Sequence, residues 1–323
     1  MSGITRRSAL ALGLAAAPAM VRAHVSQCVA PAKPGGGFDM TCQLLQALLA
    51  GPAGPPRIVY QPGGIGALAY RELVRGQRQD PRELIAFSTG TLLNIAQGRF
   101  GAWRPDRLHW VAGVAMDHGV VAVAATAPWR TLGDLLDALR QQPTAVAFAA
   151  GGTIGSQDWM KAALLARAVG VSHRALRIVA FEGGGDALRA LEGGHVHVLC
   201  GDAAELLPRL GPQRGGVRLL ATLSASRLAG ALAAVPTAAE QGVDVRWPIL
   251  RGVYTSADHP DAERLALVER LALALRTPEH AARVRASGMT PLALTGEPLA
   301  REVAGQLEAL REMAAGFGLV MPR

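Results

Sequence analysis

Lysine is nearly missing from this chain. Of the 33 basic residues in 323 positions, only Lys33 and Lys161 are lysines; the rest are arginines scattered without runs. A formal charge of +8 spread in that way offers nothing that tracks a phosphate backbone, so no nucleic-acid partner is expected. Aromatics are scarce at 4%, which removes a stacking platform as well. Only Cys28, Cys42 and Cys200 carry thiols, at no metal-like spacing, and they allow at most one disulfide. A Cys42–Cys200 bond would join two lobes and hold them shut, and it is not expected. Long apolar runs are lacking beyond the N-terminus. The best, residues 217–235, is interrupted by Arg218 and Arg227 and is no membrane span.

What remains is 50% apolar and 18% charged, ample for a packed core and long enough for two ordinary domains. The first residues read Thr5-Arg6-Arg7-Ser8-Ala9-Leu10, followed by an uncharged apolar stretch over 9–21 and a small-residue site at Val21-Arg22-Ala23. This is the pattern of an export leader, and the paired arginines match its twin-arginine form. Removing residues 1–23 takes away three arginines and no acid, leaving +5 and a chain starting at His24, expected in the periplasm.

The mature chain alternates short apolar runs with helical patterns. Strands are expected at 28–31, 57–61, 84–88, 120–125, 146–149, 176–180, 196–201, 217–223 and 252–255. Helices are expected at 40–49, 132–141, 157–169, 187–192 and 261–275. The alternation predicts an α/β fold with parallel sheet covered on both faces. Thr131 with Asp134 and Thr237 with Glu240 read as capping boxes, and Thr277 before Pro278 as a capped helix start. The last seventy or so residues look helical, with an apolar stripe at Leu265, Val268, Ala272 and Leu275 and no sheet of their own. Such a tail must dock on an earlier sheet. The expected division is a discontinuous first lobe, 24–119 with 249–323, and a second lobe, 120–248.

Four strands end in small-residue turns that open helices. They are Lys33-Pro34-Gly35-Gly36-Gly37-Phe38-Asp39, Ser88-Thr89-Gly90-Thr91-Leu92-Leu93-Asn94, Gly151-Gly152-Thr153-Ile154-Gly155-Ser156-Gln157-Asp158 and Glu182-Gly183-Gly184-Gly185-Asp186. Glycine lets backbone N–H groups approach a ligand, and the helix behind each turn presents unpaired donors at its positive end. Ligands of open α/β sheets bind beyond the carboxyl ends of the strands. Four such turns facing one crevice would hold an anion with more than one charged group. No turn carries the Gly-Lys-Ser/Thr ending of a nucleotide loop, and Gly64-Ile65-Gly66 meets Ala69 where a dinucleotide fingerprint needs glycine. Carboxylate therefore fits better than phosphate.

These residues resemble the periplasmic solute-binding proteins of the tripartite tricarboxylate transporter type, also called Bug receptors. The resemblance covers residues 29–319 and runs through Ala30-Pro31-Ala32-Lys33-Pro34 with the first turn, then Tyr60-Gln61-Pro62-Gly63-Gly64-Ile65-Gly66 and the third turn. It continues through Phe181 with the fourth turn, Leu191-Glu192-Gly193-Gly194-His195-Val196, Val235-Pro236-Thr237, Glu240-Gln241-Gly242 and Arg251-Gly252-Val253-Tyr254. It implies a periplasmic-binding-protein fold of type II-like form: two α/β lobes on a hinge of crossing strands, closing on a small organic carboxylate. It also implies membrane subunits of a tripartite transporter as partners and no cofactor. The candidate ligand contacts are Gly35, Gly36, Gly37, Phe38, Asp39, Thr41, Ser88, Thr89, Thr91 and Asn94 from the first lobe. From the second they are Gly152, Thr153, Gly155, Ser156, Gln157, Asp158, Glu182, Gly183, Gly184 and Asp202, with Arg251 on the returning strand. The resemblance gives Asp39 the task of orienting waters or a ligand hydroxyl, and gives Thr153 and Ser156 that of donating from the opposite lobe. Trp159, where relatives often carry histidine, and Cys200-Gly201-Asp202, in place of a serine-glycine pair, are expected at the cleft border.

Catalysis finds little support. Neither Gly155-Ser156 nor Leu223-Ser224 forms a nucleophile elbow. His195 and His197 share a strand face near Asp202 but lack a third ligand at a familiar spacing, so they read as a polar pair rather than a metal site. Asp39 beside three glycines reads as a cap, and His118 as a hydrogen-bond partner near the hinge. Arg251 either pairs a ligand carboxylate or braces the hinge. The competing readings are a receptor reporting to a sensor kinase and an exported hydrolase.

Overall fold

The computed structural model describes residues 25–52, 54–78, 80, 82–210 and 216–321; the expected leader lies outside them. The chain begins with β1 (Gln27–Ala30), α1 (Gly37–Leu49), β2 (Arg57–Tyr60), α2 (Ala67–Val74), β3 (Leu84–Ser88), α3 (Thr89–Ala96) and β4 (Leu108–His118). It passes through β5 (Val120–Ala124), α4 (Leu132–Gln141), β6 (Ala147–Gly151), α5 (Gln157–Ala168), β7 (Arg177–Phe181), α6 (Gly184–Glu192), β8 (Val198–Leu199), α7 (Ala203–Leu206) and β9 (Val217–Thr222). It returns with β10 (Pro248–Ser256), α8 (Asp261–Ala274), α9 (Pro278–Ala286), β11 (Thr290–Thr295) and α10 (Gly296–Ala315).

Two sheets result, ordered β11-β4-β10-β3-β1-β2 and β7-β6-β8-β5-β9. They are mixed rather than parallel. β1 lies parallel to β2 and β3, whereas β10 is antiparallel to both β3 and β4, and β11 is antiparallel to β4. In the second sheet β6 is parallel to β7 and β8, and β5 is antiparallel to β8 and β9. The antiparallel pairs come from strands that cross between the sheets. β4 runs into β5 with only Gly119 between them, and β10 brings the chain back beside β4.

Gly119 is the stitch between the crossings. Its N–H donates to the Trp247 carbonyl at 2.9 Å, its carbonyl accepts from Leu223 at 2.7 Å, and Trp247 N–H donates to Leu223 O at 2.7 Å. A Cβ here would lie 2.8 Å from Lys161 Cδ and 3.1 Å from Leu223 Cδ1 and Trp247 Cβ, so the crossing needs glycine.

One apolar core joins both lobes, with Phe87, Leu93, Phe148, Trp159, Trp247 and Phe317 among its members. Each sheet has a further core on its other side. The tail keeps only part of its expected stripe. Leu275, just after α8, is buried and Val268 packs on the first-lobe core, whereas Leu265 is 54% exposed and Leu267 and Leu271 are buried in its place. The tail also contributes β11 to the first sheet. Thr131 and Thr277 cap their helices as expected, with Thr277 Oγ1 accepting from His280 N–H. Thr237 and Glu240 bond reciprocally, ahead of a single tight turn rather than a longer helix. Cys28 pairs with Cys42, tying β1 to α1 across the first glycine turn, and Cys200 is a buried free thiol.

Candidate functional site

The four turns meet. Gly37 N–H at the start of α1 donates to Glu205 Oε1 at 2.7 Å, and Glu205 Oε2 lies over Gly184 at the start of α6, where a Cβ would be 2.2 Å away. Gly184 N in turn lies 2.6 Å from where a Cβ on Gly151 would stand. Gly90 faces Gln157 across the lobes, with a Cβ position 3.2 Å from its amide group. Gly36 also faces Glu205, with a Cβ position 3.7 Å from its Oε1, and Gly183 is the N-cap of α6. Backbone from both lobes thus converges on one carboxylate.

Beneath it lies a buried network of charge. Arg251 Nε donates to Asp117 Oδ2 at 3.0 Å and Nη2 donates to Asp202 Oδ2 at 2.9 Å. Lys161 Nζ reaches Asp202 at 2.8 Å, Asp158 at 3.0 Å and the Gly201 carbonyl at 2.7 Å. Gln157 Nε2 donates to Asp202 as well, at 3.0 Å. Burial alone pulls the Lys161 ammonium down, but Asp158 and Asp202 outweigh it and its pKa rises. Burial likewise opposes ionisation of Asp202, and Lys161 with Arg251 overcomes it to hold that carboxylate below its ordinary range. Glu205 goes the other way. Burial first, then Asp202 and Asp158, push it up to about 7 against the pull of Arg251 and the Gly37 N–H.

Several expected contacts make bonds within the scaffold. Phe38 packs against the first-lobe core. Asp39 accepts from Gly35 N–H at 2.8 Å and from Tyr60 Oη at 2.9 Å, so it braces the first turn. Thr41 donates back to the Gly37 carbonyl. Thr91 accepts from Ser88 N–H, Asn94 donates to Gly90 O, and Thr89 ties Leu250 to Gln306. Ser156 caps its own helix. Asp158 accepts from Gly151 N–H at 2.8 Å. Arg251 braces: its Nη1 sits 1.9 Å from where a Cβ on Gly37 would be, which is why the first turn ends in glycine. Trp159 turns away from the cleft and meets His173 and Phe317 edge-on. His197 Nδ1 accepts from Ala147 N–H in the strand ladder, and among the described residues no cluster could hold a metal ion.

The mouth is closed by cross-lobe bonds. Lys33 pairs with Glu182 at 2.5 Å, both exposed. Arg99 donates to Thr153 Oγ1 at 3.1 Å and to the Ile154 carbonyl, and Gln97 Nε2 donates to Gly155 O at 2.8 Å. Gly152 faces Ile65 of the first lobe. Asp117, Lys161, Glu205, Gln97 and Arg99 were not among the expected residues. Lys161 had a signal, being one of two lysines and three positions after Asp158. Hollows of about 600 Å³ beside Trp129 and His197, and of about 310 Å³ between Trp103, Trp110 and α10, lie away from the turns.

The profile of the tripartite tricarboxylate transporter family receptor matches residues 100–319. No curated protein sequence matches. Among solved structures, MatC of Rhodopseudomonas palustris with bound malate aligns at a TM-score of 0.77 and 23% identity, covering 91% of this chain and 99% of its own. Rpa4515 of R. palustris with adipate aligns at 0.81 and 22%, covering 91% and 97%. The periplasmic binding protein BugD aligns at 0.78 and 19%, covering 91% and 97%. At these identities the likeness establishes the two-lobed fold.

Proposed function

This chain belongs to the tripartite tricarboxylate transporter receptor family, and from that premise we propose that it traps a small di- or tricarboxylate between its lobes and hands it to the membrane subunits of such a transporter. The carrying observation is that one carboxylate, that of Glu205, accepts the first-lobe Gly37 N–H at the start of α1 and lies against Gly184 at the start of α6 of the second lobe. Arg251 and Lys161, the cations beneath that position, are engaged by Asp117, Asp158 and Asp202, so recognition falls to backbone donors of the kind that suit carboxylate. That MatC holds malate and Rpa4515 adipate supports this ligand class. Residues 24–119 with 249–323 and residues 120–248 move as the two units, hinged at Gly119 and Trp247. The candidate contacts with ligand are Gly36, Gly37, Gly90, Gly152, Gly183 and Gly184, with Gln157. Capture and release involve no covalent step.

Export through the twin-arginine route completes the reading. A disulfide between Cys28 and Cys42 suits an oxidising compartment, and no helix of the described residues is long and apolar enough to cross a membrane. Nothing favours a sensor-kinase partner over transport. Calorimetric titration of the mature protein with malate, adipate and citrate tests the proposal: saturable binding of at least one is expected, and absence of heat with all three overturns it.

A further inference from the structure

We propose that Glu205 is a resident occupant of one carboxylate subsite and thereby the residue that sets which anions this cleft accepts. The inference rests on the anion-binding reading above. Glu205 projects from α7 of the second lobe, yet its Oε1 takes the first-lobe Gly37 N–H at 2.7 Å while Oε2 lies against Gly184. Those are the N-terminal ends of α1 and α6, one from each lobe, and a side-chain carboxylate sits between them as a ligand carboxylate would. The closed arrangement is thus already satisfied from within the chain.

The surrounding charge makes this occupancy consequential. Beneath Glu205 stand Asp202, Asp158 and Asp117 against Arg251 and Lys161, so the acids already exceed the cations before Glu205 is counted. From α1, Asp39 is turned to Gly35 and Tyr60, and from α6, Asp186 is held by Arg189 and Lys33. Among the described residues no unengaged cation stands there to hold an entering carboxylate beside an ionised Glu205. A guest carboxylate and a charged Glu205 repel one another at this spacing. Once protonated, Glu205 loses that charge and can donate its O–H to the guest. With its pKa at about 7, anion binding above neutrality must take up one proton. An incoming polycarboxylate gains one fewer subsite than the turns alone provide, which favours dicarboxylates over citrate.

Malate is the probe, titrated into the full mature protein from about pH 6 to about pH 9. For the wild type, affinity should fall close to tenfold per pH unit above about 7. Titration in two buffers of different ionisation heat should report uptake of about one proton per malate at the alkaline end. Glu205→Gln should flatten the profile, and Glu205→Ala should bind malate at least about tenfold tighter than wild type at the alkaline end. A wild type that binds malate without proton uptake overturns the inference while leaving the carboxylate reading intact. So does loss of malate binding by a folded Glu205→Gln at every pH, which would make Glu205 a holder of the guest rather than its competitor. Failure of the wild type to bind any carboxylate removes the parent reading instead.

Discussion

Arg251 and Lys161 are each held by two aspartates, all of them buried, and the pairing decides what removal costs. Deleting Lys161 leaves Asp158 without a cation and Asp202 with Arg251 alone, and breaking a buried pair in this way typically costs about 3–5 kcal/mol. Lys161→Met should therefore lower stability by roughly that amount, read as a fall in the urea midpoint at unchanged slope. A drop under about 1 kcal/mol would mean that the network is solvated. The exposed Lys33–Glu182 pair at the mouth is the internal control: Lys33→Ala should leave the urea midpoint essentially unchanged because water and salt screen it. Gly37 is the other sensitive residue. A methyl at Gly37 would enter the space of the Arg251 guanidinium, so Gly37→Ala should weaken malate binding at least about tenfold by displacing the first turn. Calorimetry at fixed pH checks this, and unchanged affinity would move the site elsewhere.

At the scale of elements, α8 offers a sharp comparison. Its stripe was legible at Val268 and Leu275 but not at Leu265, because Leu265, Leu267, Leu271, Leu273 and Leu275 supply more apolar positions than one face can bury. Leu271→Ala should cost about 2–5 kcal/mol and Leu265→Ala less than about 0.5, measured by the same denaturation. Equal costs would return the stripe to its expected phase. The other misreadings have similar physical roots. β4 hid because Gly113 interrupts its apolar run and its last residues, Asp117 and His118, look like loop; Asp117 is tolerated there because Arg251 and the His118 and Ala204 N–H groups meet it. β11 carries Pro291, which a strand accepts at a sheet edge. The glycine turns were legible because backbone demands glycine there: Gly35, Gly152 and Gly155 have φ of +88°, +139° and +84°. The charge network beneath them was not, since Arg251 finds Asp117 and Asp202 at separations of 134 and 49 residues, where sequence spacing carries no information.

Over the whole molecule, these groups impose opposing pH dependences that can be separated. Burial raises Glu205, so the folded state keeps a proton there that the unfolded state has lost. Its contribution is complete below the ordinary carboxylate value of 4.5 and disappears as pH rises through about 7. Burial lowers His118, against the pull of Asp117, and lowers His109 and His280 as well. Those neutral imidazoles stabilise the fold above the ordinary value of 6.5 and forfeit that stability as pH falls through their lowered values. Asp202, held down by Lys161 and Arg251 against burial, gives up its share only at still lower pH, beneath 3.8. The urea midpoint should consequently pass through a maximum between about pH 5.5 and pH 7, with a falling limb to which Glu205 contributes up to just above pH 7, beside Asp117 and Asp158, which burial also raises, and an acid limb carried first by the histidines. Each proton changes stability by at most about 1.4 kcal/mol per pH unit, which sets the steepness of either limb. Glu205→Gln should make the fall in stability towards about pH 7 shallower by up to one proton and leave the acid limb in place. A variant whose fall towards neutrality is as steep as that of the wild type would show that Glu205 is ionised throughout, and the carboxylate between the two lobes would then be a permanent charge rather than one that can be neutralised.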